Sequence, residues 1–184
     1  MSLPYGLLGL LSYQESTGYE LTKMFEDSLN NFWHAQSSQI YRELDRMESK
    51  GWVYSKNVVQ DKRPNKRVYA ITDDGREILK EWLSDADIGF ERPHEPFLMK
   101  LFFGAEAPEM TIEWLKKCRD MCQEALIRFP LIIPKIIAGY AKDIEDGENK
   151  SKYWQMTLEF GIAQTEMTAK WAQSCIDRLE GKET

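Results

Sequence analysis

Cysteine and histidine are scarce in this chain, at three and two among 184 residues. Cys118, Cys122 and Cys175 cannot build a disulfide framework. His34 and His94 lie far from the one close thiol pair, so no zinc-ligand spacing results and no metal or cofactor is expected. Cys118 and Cys122 stand one helical turn apart within an apolar stripe and read as buried structural thiols, with a redox sensor as the alternative. No run of about 18 apolar residues occurs, so no membrane span is expected. The N-terminus carries Pro4 and Gly6 without a charged leader, does not read as a signal peptide, and leaves a cytoplasmic location as the expectation. Glycine-rich phosphate loops, a Gly-x-Ser-x-Gly elbow and paired-carboxylate motifs are all missing, so an enzyme is not expected. Low-complexity tracts and internal repeats are absent too. What remains is 42% hydrophobic, enough for a packed core in one large or two small domains.

Charge is unevenly spread. The chain is acidic, with 24 Lys and Arg against 30 Asp and Glu. Between Gln36 and Thr72, however, eight basic residues face four acidic ones, a local net of +4 in a chain of net −6. A basic patch on an acidic protein steers a polyanion to one face.

That stretch also has the most informative pattern. Ser37-Ser38-Gln39-Ile40-Tyr41-Arg42-Glu43-Leu44 opens a helix, with Ser37 as N-cap, and Gly51 closes it. Ile40, Leu44 and Met47 recur at helical spacing and form its buried face. The opposite arc holds Ser38, Gln39, Arg42, Asp45, Arg46 and Ser49, with Tyr41 between the two. Trp52 to Val59 and Arg67 to Thr72 read as strands around the basic loop Lys62-Arg63-Pro64-Asn65-Lys66-Arg67. Taken alone, the helix is an amphipathic surface helix and the charge run a solvated turn. Together, a helix sized for the DNA major groove and a basic β-ribbon describe a winged helix-turn-helix.

The flanks complete the module. Leu7, Leu8, Leu10 and Leu11 make a short first helix after Pro4. Thr17 and Glu20 form a capping box for a second, whose buried face is Leu21, Met24, Phe25 and Leu29. Thr72 caps a helix after the ribbon, from which Ile78, Leu79, Trp82 and Leu83 point inward. The domain is expected over residues 1–85, followed by a linker at 86–96 marked by Gly89, Pro93 and Pro96.

Residues 97–184 read as an α-helical dimerisation and effector domain. Trp114, Cys118, Met121, Ala125, Phe129, Ile132, Ile136 and Tyr140 repeat at near-heptad spacing, and Pro130 is expected to kink or split that helix. A last helix, Ser151 to Leu179, carries a seam through Trp154, Leu158, Gly161, Thr165, Thr168, Ala172, Cys175 and Leu179, widened by Ile162, Ala169 and Ile176. Such stripes need cover, and a second copy in twofold symmetry supplies it simply. Trp114, Met121, Leu158, Ile162, Thr165, Ala169, Ala172 and Ile176 are therefore the expected dimer contacts. A monomeric bundle is the alternative. Trp33, Phe97, Tyr153, Trp154 and Phe160, with Trp171, are dense enough to hold a flat apolar effector, although any single ring is more often core.

Several spaced motifs carry a family resemblance. Pro4 to Leu11, Ser16-Thr17-Gly18-Tyr19-Glu20-Leu21, Ser38-Gln39-Ile40-Tyr41-x-x-Leu44-x-x-Met47-Glu48-x-x-Gly51 and Lys66-Arg67-Val68-Tyr69-Ala70-Ile71-Thr72-x-x-Gly75 resemble the PadR family of bacterial transcriptional regulators. Phe97 to Phe103 and Leu158 to Ala163 resemble the start and end of its C-terminal helical domain. One departure is Arg42, where the family often has proline. The resemblance implies a dimeric DNA-binding regulator, often a repressor, released in some members by a small aromatic ligand. On this reading Ser38, Gln39, Arg42 and Arg46 face base edges, and Ser37, Tyr19, Tyr41 and Tyr69 sit on phosphates. Lys62, Arg63, Asn65, Lys66 and Arg67 hold the flanking backbone or minor groove. The competing readings are a protein-interaction module on a winged-helix frame, and a small-molecule sensor with secondary DNA binding.

Overall fold

The computed structural model describes residues 2–58, 66–86 and 95–182. It divides into two compact units, Met1–Gly89 and Phe90–Thr184. The expected wing-tip residues Lys62, Arg63 and Asn65, and most of the expected linker, lie outside the described residues.

The first unit runs α1 (Leu3–Tyr13), β1 (Ser16–Thr17), α2 (Gly18–Asp27), α3 (Ser37–Ser49), β2 (Val53–Val58), β3 (Lys66–Ile71) and α4 (Asp73–Ser84). Its core is the set that helical spacing singled out: Leu7, Leu8, Leu11, Leu21, Phe25, Ile40, Leu44 and Met47 are all buried. Thr17 and Glu20 form the expected capping box, with Glu20 N–H donating to Thr17 Oγ1 at 3.2 Å and Thr17 N–H to Glu20 Oε2 at 2.8 Å. These bonds hold the Glu20 carboxyl below its usual range. Gly51 ends α3 in the left-handed region at φ +76°, a conformation that favours glycine.

The sheet is antiparallel in the order β1-β3-β2. Val53 pairs with Ile71, Ser55 with Tyr69 and Asn57 with Arg67. Two-residue β1 sets Ser16 against Tyr69. It was not expected, because a cap residue and a strand residue look alike in so short a segment. Thr72 caps α4 as expected, accepting from Gly75 N–H at 3.0 Å. Trp82 and Leu83 correct the expectation for that helix: they are 42% and 69% exposed, Trp82 stacking on Tyr5 at 4.8 Å between centroids. Ile78 and Leu79 are half-buried, and Gly75 is the buried residue of α4.

The second unit runs α5 (Pro96–Phe102), α6 (Pro108–Lys142) and α7 (Gly147–Leu179). The helices α6 and α7 form an antiparallel hairpin, tied by Arg119 Nη1 donating to Gln173 Oε1 at 2.8 Å and by Lys116 Nζ to Glu180 Oε1 at 3.1 Å. Leu115, Ala172 and Ile176 make the buried core, with Phe97, Leu101, Trp171 and Cys175 packed around it. Pro130 and Pro134 do not split α6, which is helical throughout. The carbonyls that lose their i→i−4 donor are those of Leu126, which is half-buried, and Pro130, which is exposed. Cys118, Cys122 and Cys175 are free and half-buried, and burial raises the Cys118 thiol above its usual value. No helix among the described residues is long and apolar enough to cross a membrane.

Candidate nucleic-acid interface

Burial of Ile40, Leu44 and Met47 fixes the rotation of α3 and turns its other arc outward. Ser37, Ser38, Gln39, Arg42 and Arg46 all lie on exposed surface. The N-cap is Gln36, one residue earlier than expected: Gln36 N–H donates to Gln39 Oε1 at 2.8 Å, and Ser37 becomes the first helical residue. Gln39 thereby spends its carbonyl oxygen on the cap, while its amide group is still a donor.

The two arginines are held differently. Arg42 Nε donates to the Ser38 carbonyl at 3.3 Å, and Arg46 Nη1 pairs with Glu43 at 3.1 Å with its side chain 62% exposed. The Arg42 guanidinium, held by one long bond to a backbone carbonyl, is free to reach a phosphate or a guanine edge, whereas Arg46, though exposed itself, would uncover a Glu43 side chain that is only 14% exposed.

Beside the N-terminal half of α3 is a cleft of about 420 Å³ lined by Tyr19, Thr22, Lys23, Glu26, Asp27, Ser37 and Tyr41. Tyr19 is 74% exposed and Tyr41 43%. Both rings can meet a backbone that passes over this end of the helix, where N–H groups and the dipole favour an anion. Lys23 was not singled out from sequence, although it stands one turn from Tyr19 and so shares its face.

The wing strands meet α3 through a connected set of bonds. Glu48 Oε1 accepts from Ser55 N–H at 2.9 Å and from Ser55 Oγ at 2.6 Å. Arg67 donates from Nε to Ser55 Oγ at 2.9 Å, from Nη1 to Asp45 at 3.4 Å, and from Nη2 to Glu48. Its guanidinium lies 5.0 Å from the Tyr69 ring centroid. The Ser55 bond and Arg67 hold the Glu48 carboxyl below its usual range. Tyr69 corrects an expectation. It is 2% exposed and its phenol is raised by burial, so it is a core residue of the wing base and offers no hydroxyl to a phosphate. By strand alternation Tyr69 shares the face of Arg67, which reaches α3, at the end of β3 where Tyr69, Ala70 and Ile71 are all buried, while Lys66 is exposed at its start. Lys56 pairs with Glu15, joining β2 to the segment before β1.

In the second unit, Ala169, Ala172 and Ile176 also correct an expectation, because all three are buried within the single chain and Ala172 and Ile176 pack on Leu115. Trp114, Leu158, Ile162 and Thr165 are half-buried, and Met121 is exposed. The large apolar residues of α7 left uncovered are Tyr153, Met156, Phe160 and Met167, with Leu179 at the helix end. Spaced by three, four and seven, the first four form a stripe. Of the expected effector residues, Phe97 contacts Trp171 edge to face at 6.2 Å. Trp171 lies 18 residues from Tyr153 along α7, about 27 Å at the helical rise, so Phe97 does not join Tyr153, Trp154 and Phe160 in one cluster. Trp33 is in the first unit and partly exposed.

Residues 7–81 match the Transcriptional regulator PadR-like family, and residues 93–180 match the Virulence activator alpha C-term family. A probable transcriptional regulator of Mycobacterium tuberculosis is 46% identical over 85 residues, which cover 46% of this chain and 45% of that protein. The negative transcriptional regulator PadR of Bacillus subtilis is 35% identical over 101 residues, covering 55% and 56%. The matched stretches thus span about half the length of these curated relatives. The crystal structure of Bacillus subtilis PadR in complex with operator DNA superposes with a TM-score of 0.79 at 23% identity, covering 97% of this chain and 99% of that one. The same protein in complex with p-coumaric acid superposes at 0.75 with 22% identity, covering 98% and 99%. The capped α2, the outward-facing α3 and the ribbon braced against it are the part of this chain that matches the PadR-like family of transcriptional regulators, and the helical hairpin that follows matches a family of its own.

Proposed function

We propose that this protein is a sequence-specific, DNA-binding transcriptional regulator that works in the cytoplasm as a homodimeric repressor. The observation that carries the reading is the exposed arc of α3, where Arg42 and Arg46 stand one turn apart above a fully buried face, within the basic part of an acidic chain. Ser38, Gln39, Arg42 and Arg46 face base edges. Ser37, Tyr19 and Tyr41 meet phosphates at the helix start, and Lys66 with Lys62, Arg63 and Asn65 follows the flanking backbone. Dimerisation covers the α7 stripe of Tyr153, Met156, Phe160 and Met167 and presents two α3 helices to half-sites roughly 34 Å apart. Release by a small aromatic acid is the effector arm of the proposal, supported by the p-coumaric acid complex of the Bacillus subtilis protein.

The test is fluorescence anisotropy of the full chain on its own upstream DNA and on random duplex, across a salt series. Preference of about a thousandfold with a steep salt slope is expected. Weak and equal binding to both duplexes would refute the reading.

A further inference from the structure

The set of bonds around Arg67 bears on what that residue does, and the inference rests on the DNA-binding reading above. Arg67 lies at the foot of β3, beside the basic loop, where a phosphate contact is the natural expectation. Its side chain instead folds back toward α3. Three of its nitrogens are engaged, by Ser55 on β2 and by Asp45 and Glu48 on α3. The Ser55 hydroxyl uses its hydrogen on Glu48 Oε1 and its lone pair on Arg67 Nε, so the ring closes with every polar group matched. Glu48 then bridges both strands, one oxygen to β2 and the other to β3.

Charge decides whether Arg67 could leave this ring for DNA. Leaving would gain one phosphate contact. It would also strip the counter-charge from Asp45 and Glu48, two carboxylates one turn apart on the helix that must approach a polyanion. One cation gained against two anions uncovered is an unfavourable exchange. We infer that Arg67 is a positioning residue, not a DNA contact: through Ser55 and Glu48 it sets the angle of the wing to the recognition helix, and so acts on sequence preference.

Four variants test this: Arg67→Ala, Arg67→Lys, Glu48→Gln and the Arg67→Ala/Glu48→Gln double variant. Affinity is measured for a duplex selected from a random library by the wild-type protein and for a scrambled duplex of equal length, across a salt series. Expected is a loss of about tenfold on the selected duplex for each single variant, within the range for a coupled network. Little change is expected on the scrambled duplex, with an unaltered salt slope. The double variant should be no worse than Arg67→Ala. Arg67→Lys should behave as Arg67→Ala, because an ammonium cannot serve acceptors spread around a planar fork. The opposite pattern would overturn the inference: equal losses on both duplexes, a salt slope lower by about one, rescue by lysine and tighter binding by Glu48→Gln. Melting of the free protein gives a separate readout. Tm losses for Arg67→Ala and Glu48→Gln that simply add would overturn the clamp whatever the DNA result. Absence of any selected duplex for the wild type would instead refute the DNA-binding reading.

Discussion

Replacing Gly75 by alanine separates what helix propensity says from what packing says. Gly75 is the third residue of α4, its φ is not positive, and its N–H already bonds the Thr72 cap. Propensity alone would make alanine more stable by up to about 1 kcal/mol. The added Cβ, however, would stand 2.1 Å from the Trp52 carbonyl oxygen and 2.9 Å from Ile71 Cγ1. That carbonyl has no room to retreat. It accepts the Thr72 N–H at 3.1 Å, Trp52 N–H is bonded to Met47 at 3.0 Å, and Val53 beyond it is buried. A backbone shift of about 1 Å therefore has to pass into the junction of α3, β2 and α4, and overpacking of this kind costs about 1–3 kcal/mol or more. After the propensity gain, a net loss of about 1–2 kcal/mol is expected, or roughly 5–15 °C in Tm for a unit of this size. Calorimetry of the full chain would measure it, and hydrogen exchange would place the loss in residues 2–86. A Gly75→Ala protein as stable as the wild type, or more so, would refute the packing argument.

Gly18→Ala makes a contrasting case, since its Cβ would fall 2.4 Å from Cε1 of the partly exposed Tyr41 ring, which can swing away; stability should change by less than about 1 kcal/mol while DNA affinity drops, as anisotropy would show. Ser55→Ala should raise the Glu48 carboxyl toward its usual value, measurable by NMR titration, because the Ser55 hydroxyl is the largest cause of its depression. A depressed carboxyl stabilises the fold above the ordinary carboxylate range and loses that contribution as pH falls through its folded value, so the acid limb of the wild-type stability curve should be steeper than that of Ser55→Ala. Phe160→Glu, on the exposed α7 stripe, should convert a dimer to monomers in analytical ultracentrifugation without lowering helix content; an unchanged dimer would place the interface elsewhere.

Local rules made much of the first unit legible. Helical spacing picked out Ile40, Leu44 and Met47, and cap chemistry found Thr17 with Glu20 and Thr72, because these depend on residues three or four apart. The clamp of Arg67 was not legible. It joins residues 12 and 19 positions apart, and only the β2–β3 register brings them together. Tyr69 was misread for the same reason, since its side of the ribbon depends on where α3 lies. Ala172 and Ile176 failed differently. Periodicity showed correctly that they share a face with the rest of the seam, but the cover for that face is α6 of the same chain. Apolar spacing identifies a surface that must be buried and leaves its partner undetermined.

The two prolines of α6 have a mechanical consequence. Pro130 and Pro134 are one turn apart on a helix of 35 residues. Neither can donate to the carbonyl four residues before it, so the i→i−4 bonds to Leu126 and Pro130 are missing at successive turns. A rod missing adjacent rungs is most compliant there. When load is applied to α6, flexure concentrates between residues 126 and 134, while the segment near Leu115, packed on Ala172 and Ile176, keeps its shape. The hairpin therefore has a stiff end and a pliant middle, and the position of the joint is written in covalent structure.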